Sequence, residues 1–407
     1  TENHRLYDST RGVSSSINTL FPSLNYAAET ESISGLASLD TGGFTLQNQN
    51  AVNSNGNDFV AWCLKANGGT TSSNTDGTIT STVQANIDAG FSIVKWTTNG
   101  SSSQTVGHGL GVTPEIIFFK RLDGSQDWFV ETNVIDGGYD YGNLNTTAAF
   151  QDGGAAWSTR ATSTTITAFT SSNNFDYIAY CFKSIDSFSK IGSYTGISSG
   201  DIIVKTGFEP RFIMIKCTSH ASTNWEILDS RRSPGMLSNG SAVRLRANDS
   251  SADAGFNNTP ISFLSNGFRI NSSVTANSYV DYDANGRTYL YMAFAADPDT
   301  EAPTVARSFA VKTYTGTGTN QKVEGLGFAP NLVWIKSRST TNPHVLHDTV
   351  RGIGNVIYSN LTNAEADERA YFTSVGYDYL QFGTNAGNYN NTGTDYVAWA
   401  WKADDNE

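Results

Sequence analysis

The chain has 407 residues, 16% of them charged and 38% hydrophobic, with a formal net charge of −12. That acidity argues against a nucleic-acid backbone or an anionic membrane as a direct partner, and no apolar run approaches the ~20 residues a membrane helix needs. Ser, Thr, Asn and Gly dominate while β-branched and aromatic residues cluster in short runs, which is an all-β composition with length for three to four domains.

Residues 4–66 read as the back half of a repeat. His4-Arg5-Leu6-Tyr7-Asp8-Ser9-Thr10-Arg11-Gly12 matches His344-Val345-Leu346-His347-Asp348-Thr349-Val350-Arg351-Gly352, yet complete copies carry two further strands before that point. The missing strands are expected from upstream in a longer polypeptide, or from an adjacent subunit by strand addition, which would make this copy an oligomerisation site. Thr1 is no initiator Met, and no signal peptide is recognisable. The first copy ends on Phe59-Val60-Ala61-Trp62-Cys63-Leu64-Lys65, a closing strand that returns at Tyr177–Lys183, Tyr289–Ala295 and Tyr396–Lys402. A spacing of roughly 110 residues is one small domain per copy. Alternation splits each closing strand into a large set (Trp62, Tyr180, Met292 and Trp399 at its centre) and a small set ending in Ala or Cys. The large set is expected to face the core.

Residues 67–89 read as a Gly/Ser/Thr/Asn linker. Complete repeats are expected at 90–184, 185–300 and 301–407. Each opens on an aromatic-led strand (Phe91, Phe188, Phe309), followed by a Pro-led apolar strand (Pro114, Pro210, Pro330). Pro can start a strand where no ladder N–H is needed, and a short, continuous apolar run predicts a central strand covered on both faces. Next comes an aromatic or His followed by Asp-x-x-Arg. Asp8 and Arg11, Asp229 and Arg232, and Asp348 and Arg351 are expected to form structural ion pairs, whereas the first complete copy has Thr132 and Ile135 there. Asn/Ser/Thr-rich strands and Gly-aromatic hairpins fill the rest, and Asp297–Pro303 reads as a stiff acidic hinge. Six to eight short strands per ~100 residues indicate tandem β-sandwich repeats of jelly-roll or lectin-like type.

The three cysteines, Cys63, Cys181 and Cys217, suit inert buried slots, without the spacing of a disulfide framework or zinc site. There is no phosphate loop, dinucleotide fingerprint or nucleophile elbow, so neither enzymatic activity nor a cofactor or metal is expected. If shared residues are scaffold, a ligand site belongs to residues that one copy alone carries. Tyr139, Asp140 and Tyr141, with Trp157, fit that description, and flat rings beside Asn and Asp suit a sugar.

The runs Asn74–Ser81, Ala89–Val94 and Val106–Gly111, with Tyr177–Phe182 and Phe188–Gly196, resemble a repeat family of marine bacteriophage tail or structural proteins over essentially the whole chain. The resemblance implies a virion protein, a tail appendage or fibre. Expected partners are other virion proteins, further copies of the chain in a homo-oligomer, and a host-surface glycan, with no nucleic acid and no membrane insertion. A capsid decoration or head-fibre protein is the alternative, and a polysaccharide depolymerase the third reading.

Overall fold

In every complete repeat the closing strand lies inside the main sheet, flanked by the opening strand and the Pro-led strand. The computed structural model describes residues 2–403 except 13–17, 31–34, 41, 102, 154–159, 169–173, 234–242, 256–259, 272–281, 296–308, 377 and 385–386. It is nearly all β, 1% helical and 43% strand. The chain divides into two units, residues 1–300 and 301–407. The hinge expected at Asp297–Pro303 lies outside the described residues.

The second unit shows the repeat plan. Its six-stranded antiparallel sheet runs Phe309–Thr315, Asp395–Trp401, Leu332–Ser337, Val345–Asp348, Asn355–Tyr358, Ala366–Asp367. A three-stranded sheet of Gln321–Glu324, Tyr379–Phe382 and Phe372–Gly376 covers one face. The core between them holds Val333, Ile335, Phe372, Phe382, Tyr396, Ala398 and Ala400. The third repeat repeats this order, with Ser189–Thr195, Thr288–Phe294 and Phe212–Cys217 leading its sheet. The second repeat extends its sheet to eight strands. Two of those, Ser72–Asn74 and Ser81–Asn86, fall in the expected linker. The expected linker at 67–89 therefore contributes two strands to the sheet: Val83 enters the core, and buried Gln84 bonds Ser9 and Thr10 of the first copy.

The expected inward face is reversed. The small set (Tyr177, Ala179 and Cys181; Tyr289, Tyr291 and Ala293; Tyr396, Ala398 and Ala400) lines each repeat's own sandwich core. A small side chain fits there because the covering sheet already brings Phe and Tyr to the same layer. The large set points the other way. In the second and third repeats that outer face is buried too, because the two main sheets and the first copy share one further core. It contains Leu20, Ile93, Phe118, Trp128, Ile178, Tyr180, Ile191, Trp225, Leu290 and Met292. Tyr180 and Met292 are thus buried as expected, whereas Trp399 is half-buried and Trp62 is 37% exposed.

Contacts among the first three copies form a ring. Trp128 of the second donates its indole N–H to Phe21 O of the first, at 2.9 Å. Trp225 of the third donates to Asn143 O of the second, also at 2.9 Å. His4 of the first, at the same repeat position, hydrogen-bonds the backbone of Arg246 in the third. Backbone bonds follow suit: Gln126 N to Asn25 O and Thr223 N to Thr147 O run the same way, while Ala28 N to Leu122 O and Phe150 N to Thr218 O run back. Within this chain the half-domain is covered in part by the second and third copies, with Leu20 and Ala66 entering the shared core. Phe59–Lys65, lacking the neighbours that would pair its backbone, is not a strand, and Phe59 and Leu64 are exposed.

Candidate functional site

The loop expected to present a sugar platform turns partly inward. Tyr139 is buried, its hydroxyl 3.3 Å from Asn133 Nδ2 and 3.5 Å from Ala161 O. The Tyr141 ring stacks on Phe129, with centroids 5.4 Å apart, and its hydroxyl donates to Gln151 at 2.5 Å. Trp157 lies outside the described residues. Two tyrosine faces are therefore spent inside the repeat.

What this loop does assemble is carboxylate. Asp140 sits directly opposite Asp152 in the ladder of the last two strands. Asp136, with Oδ1 accepting from Gly138 N at 2.8 Å, brings a third. One oxygen of each lies within 4.8 Å of the others. Asp140 is buried, and among the described residues its Oδ2 has no hydrogen-bond partner. Burial, then Asp136 and Asp152, pushes its pKa up to about 6. Like charges opposed across a ladder are destabilising, and the group can relieve them with a proton or a hard oxygen-seeking cation such as calcium. Asp136 and Asp152 were not legible as a cluster, because a two-residue pairing register at a sheet edge has no sequence signal.

The three Asp–Arg pairs form as expected, at 2.5, 2.7 and 2.7 Å for Asp8–Arg11, Asp229–Arg232 and Asp348–Arg351. In each, the Asp also caps the backbone N–H of its Arg, and the guanidinium reaches a strand carbonyl: Leu6, Ile227 or Leu346. In the first unit the pairs do more than brace a turn. Tyr180 of the second repeat donates its hydroxyl to Asp8 of the first at 2.7 Å. Trp62 of the first donates its indole N–H to Asp229 of the third at 3.3 Å, edge-on to Phe212 and under the Arg232 guanidinium. Trp62 and Tyr180 are equivalent positions, so each copy hands a donor to the pair of the next one around the ring. The third copy offers Met292, which cannot donate, and the second has Thr132 and Ile135 in place of the pair. Donor and acceptor are kept together or lost together. The motif alignment carried that signal, but only the ring shows which copy to compare with which.

Three histidines are held in place by their neighbours. His108 is buried in a bend where Gly109 and Gly111 take φ of +74° and +73°; Leu110 N donates to Nδ1, so Nε2–H points to Thr162 O. His344 accepts the Trp334 indole N–H at 3.0 Å. His347 is buried between Ile353 O and the Tyr389 hydroxyl, 2.8 Å from each, and burial pushes its pKa down to about 4. Cys181 and Cys217 are buried, the first pushed up to about 12 by burial, but Cys63 is exposed on the unpaired segment and not in the buried slot expected.

No curated protein and no solved structure matches the chain. One family model does, over residues 1–298 and 305–407, described as a domain of unknown function, DUF7483. With nearly every repeat element inside that match, the chain belongs to the DUF7483 family.

Proposed function

We propose that this protein is a structural component of a phage virion, a tail appendage or fibre built of tandem β-sandwiches, with its exposed loops turned to a host-surface glycan. One observation carries the reading: the first unit spends a broad aromatic face on repeat-to-repeat packing. Trp128, Tyr180 and Trp225 are buried where copies meet, not around a cleft. Such an investment suits a part that must stay assembled outside a cell. The acidic, Ser/Thr/Asn/Gly-rich composition fits the same setting.

Antibody labelling of purified particles, viewed by electron microscopy, tests it. Label on the tail or its appendages supports the reading. Label on the head moves the protein to capsid decoration or head fibre, and absence from purified virions ends the proposal. Glycan-array binding lost on Tyr141→Ala would place the host contact at the 136–141 loop. Release of reducing sugar from host polysaccharide would instead favour a depolymerase.

A further inference from the structure

The second unit carries, on one repeat, both halves of the contact that ties the first three copies together. Its outward sheet face is apolar: Phe309, Val311, Trp334, Leu346, Trp399 and Trp401. The ladder registers make these the counterparts of residues buried in the shared core of the first unit. There Ile93 and Ile191 are 5% and 3% exposed; Val311, in the same place, is 49% exposed, and Phe309 is 40% exposed. Trp399 stands where Tyr180 and Trp62 stand, as the donor. Asp348 and Arg351 stand where Asp8 with Arg11, and Asp229 with Arg232, accept that donor. Their side chains are 23% and 26% exposed, against 3% and 5% for Asp8 and Arg11.

We propose that this face is the contact by which three copies of the chain assemble head to tail about a threefold axis. Trp399 of each copy would meet the Asp348–Arg351 pair of the next. Head-to-tail contacts close into a ring only when their rotation allows it, and otherwise run on as filaments. The first unit sets the rotation: copy two reaches copy one, three reaches two, and one reaches three. The complementarity is the second argument. In the first unit the acceptor pair is kept where Tyr180 or Trp62 faces it and lost where Met292 does. A repeat retaining both Trp399 and the pair is matched to itself, and a ring of identical repeats needs that match. An exposed apolar sheet face of this extent on a secreted or virion surface is otherwise an association hazard. The inference rests on the repeat geometry and not on the virion reading.

Sedimentation velocity of the full chain at micromolar concentration tests it. The mass of three chains is expected. Trp399→Ala and, on the opening strand, Val311→Lys should each raise the concentration at which the trimer dissociates by at least about tenfold. The triple variant Trp399→Met, Asp348→Thr, Arg351→Ile copies the apolar junction of Met292, Thr132 and Ile135, and should remain trimeric. A wild-type mass of one chain or two overturns the proposal. So does a trimer untouched by both Trp399→Ala and Val311→Lys, and a triple variant that falls apart counts against the junction as assigned. Circular dichroism of each variant separates lost assembly from lost folding.

Discussion

The outer faces of the third and fourth repeats are the same strands in the same register, and they end in opposite environments. In the third, Trp225, Leu290 and Met292 are sealed against neighbouring copies. In the fourth, His344, Val397 and Trp399 remain half-exposed. The difference is not in the fold of either repeat, since each has its own sandwich core. It teaches that this domain has two apolar faces with separate duties. The small-residue face makes the domain, and the large-residue face joins it to others.

The strongest way to break that comparison is to truncate the sealed member. Trp225→Ala removes a buried indole and its bond to Asn143 O, and should cost the first unit about 3–5 kcal/mol in chemical denaturation. His344→Ala, at the same position of the second unit, should cost less than about 1 kcal/mol at concentrations that leave single chains. Equal costs would mean that the outer face contributes to each repeat's own folding, and the division of duties would fall.

A sharper cut separates the polar junction from the apolar one. Tyr180→Phe leaves the Asp8 carboxylate buried without its hydroxyl donor and should cost about 1.5–3 kcal/mol. Burial holds the Tyr180 pKa well above its ordinary value, so the O–H remains a donor throughout the accessible pH range. Met292→Leu, at the equivalent position, keeps volume and breaks no polar bond, and should stay under about 1.5 kcal/mol. Thermal unfolding of the two variants checks the order; a reversal would show that Asp8 is satisfied by Arg11 alone.

The smallest expected effect lies at the sheet edge. Asp140 titrates near 6 in the folded chain, above its ordinary 3.8. A raised folded pKa means the fold favours the protonated acid, so this group's contribution is full below about pH 4 and is lost as pH rises through about 6. Asp140→Asn should therefore raise stability at pH 7–8 by about 1 kcal/mol and change little at pH 4. Melting curves in cation-free buffer at the two pH values measure it. A stabilisation that is the same at both would assign the effect to something other than charge.

How much of this could be read from sequence follows from where the information sits. The closing strands, the Pro-led strands and the Asp–Arg pairs were legible, because strand periodicity and a three-residue spacing are local. Which face was inward was not. In Tyr177–Phe182 both alternating sets are apolar, as they are in any strand covered on two sides, so alternation alone cannot rank them. The reversal depends on the small covering sheet: in the third repeat its strands Ile261–Leu264 and Gly267–Ile270 are separate from the closing strand Thr288–Phe294 whose Tyr289, Tyr291 and Ala293 they pack against. Likewise, Ser81–Asn86 looked like linker because its alternation is polar and small, yet it pairs with Phe91–Thr97 next along the chain. Trp62 matches Trp399 in sequence but not in setting, because among the described residues no strand flanks Phe59–Lys65.

The ring also orders events in time. As the chain leaves the ribosome, the second copy meets a first copy already made, and the third meets the second. The first copy's own reach, His4 to Arg246 and Trp62 to Asp229, must wait until its target exists, across 167 residues for the latter. Contacts of such long sequence separation close late and slowly. Closing the ring is therefore a final latch on the first unit. A nascent chain stalled before residue 229 would hold two copies docked and the latch open.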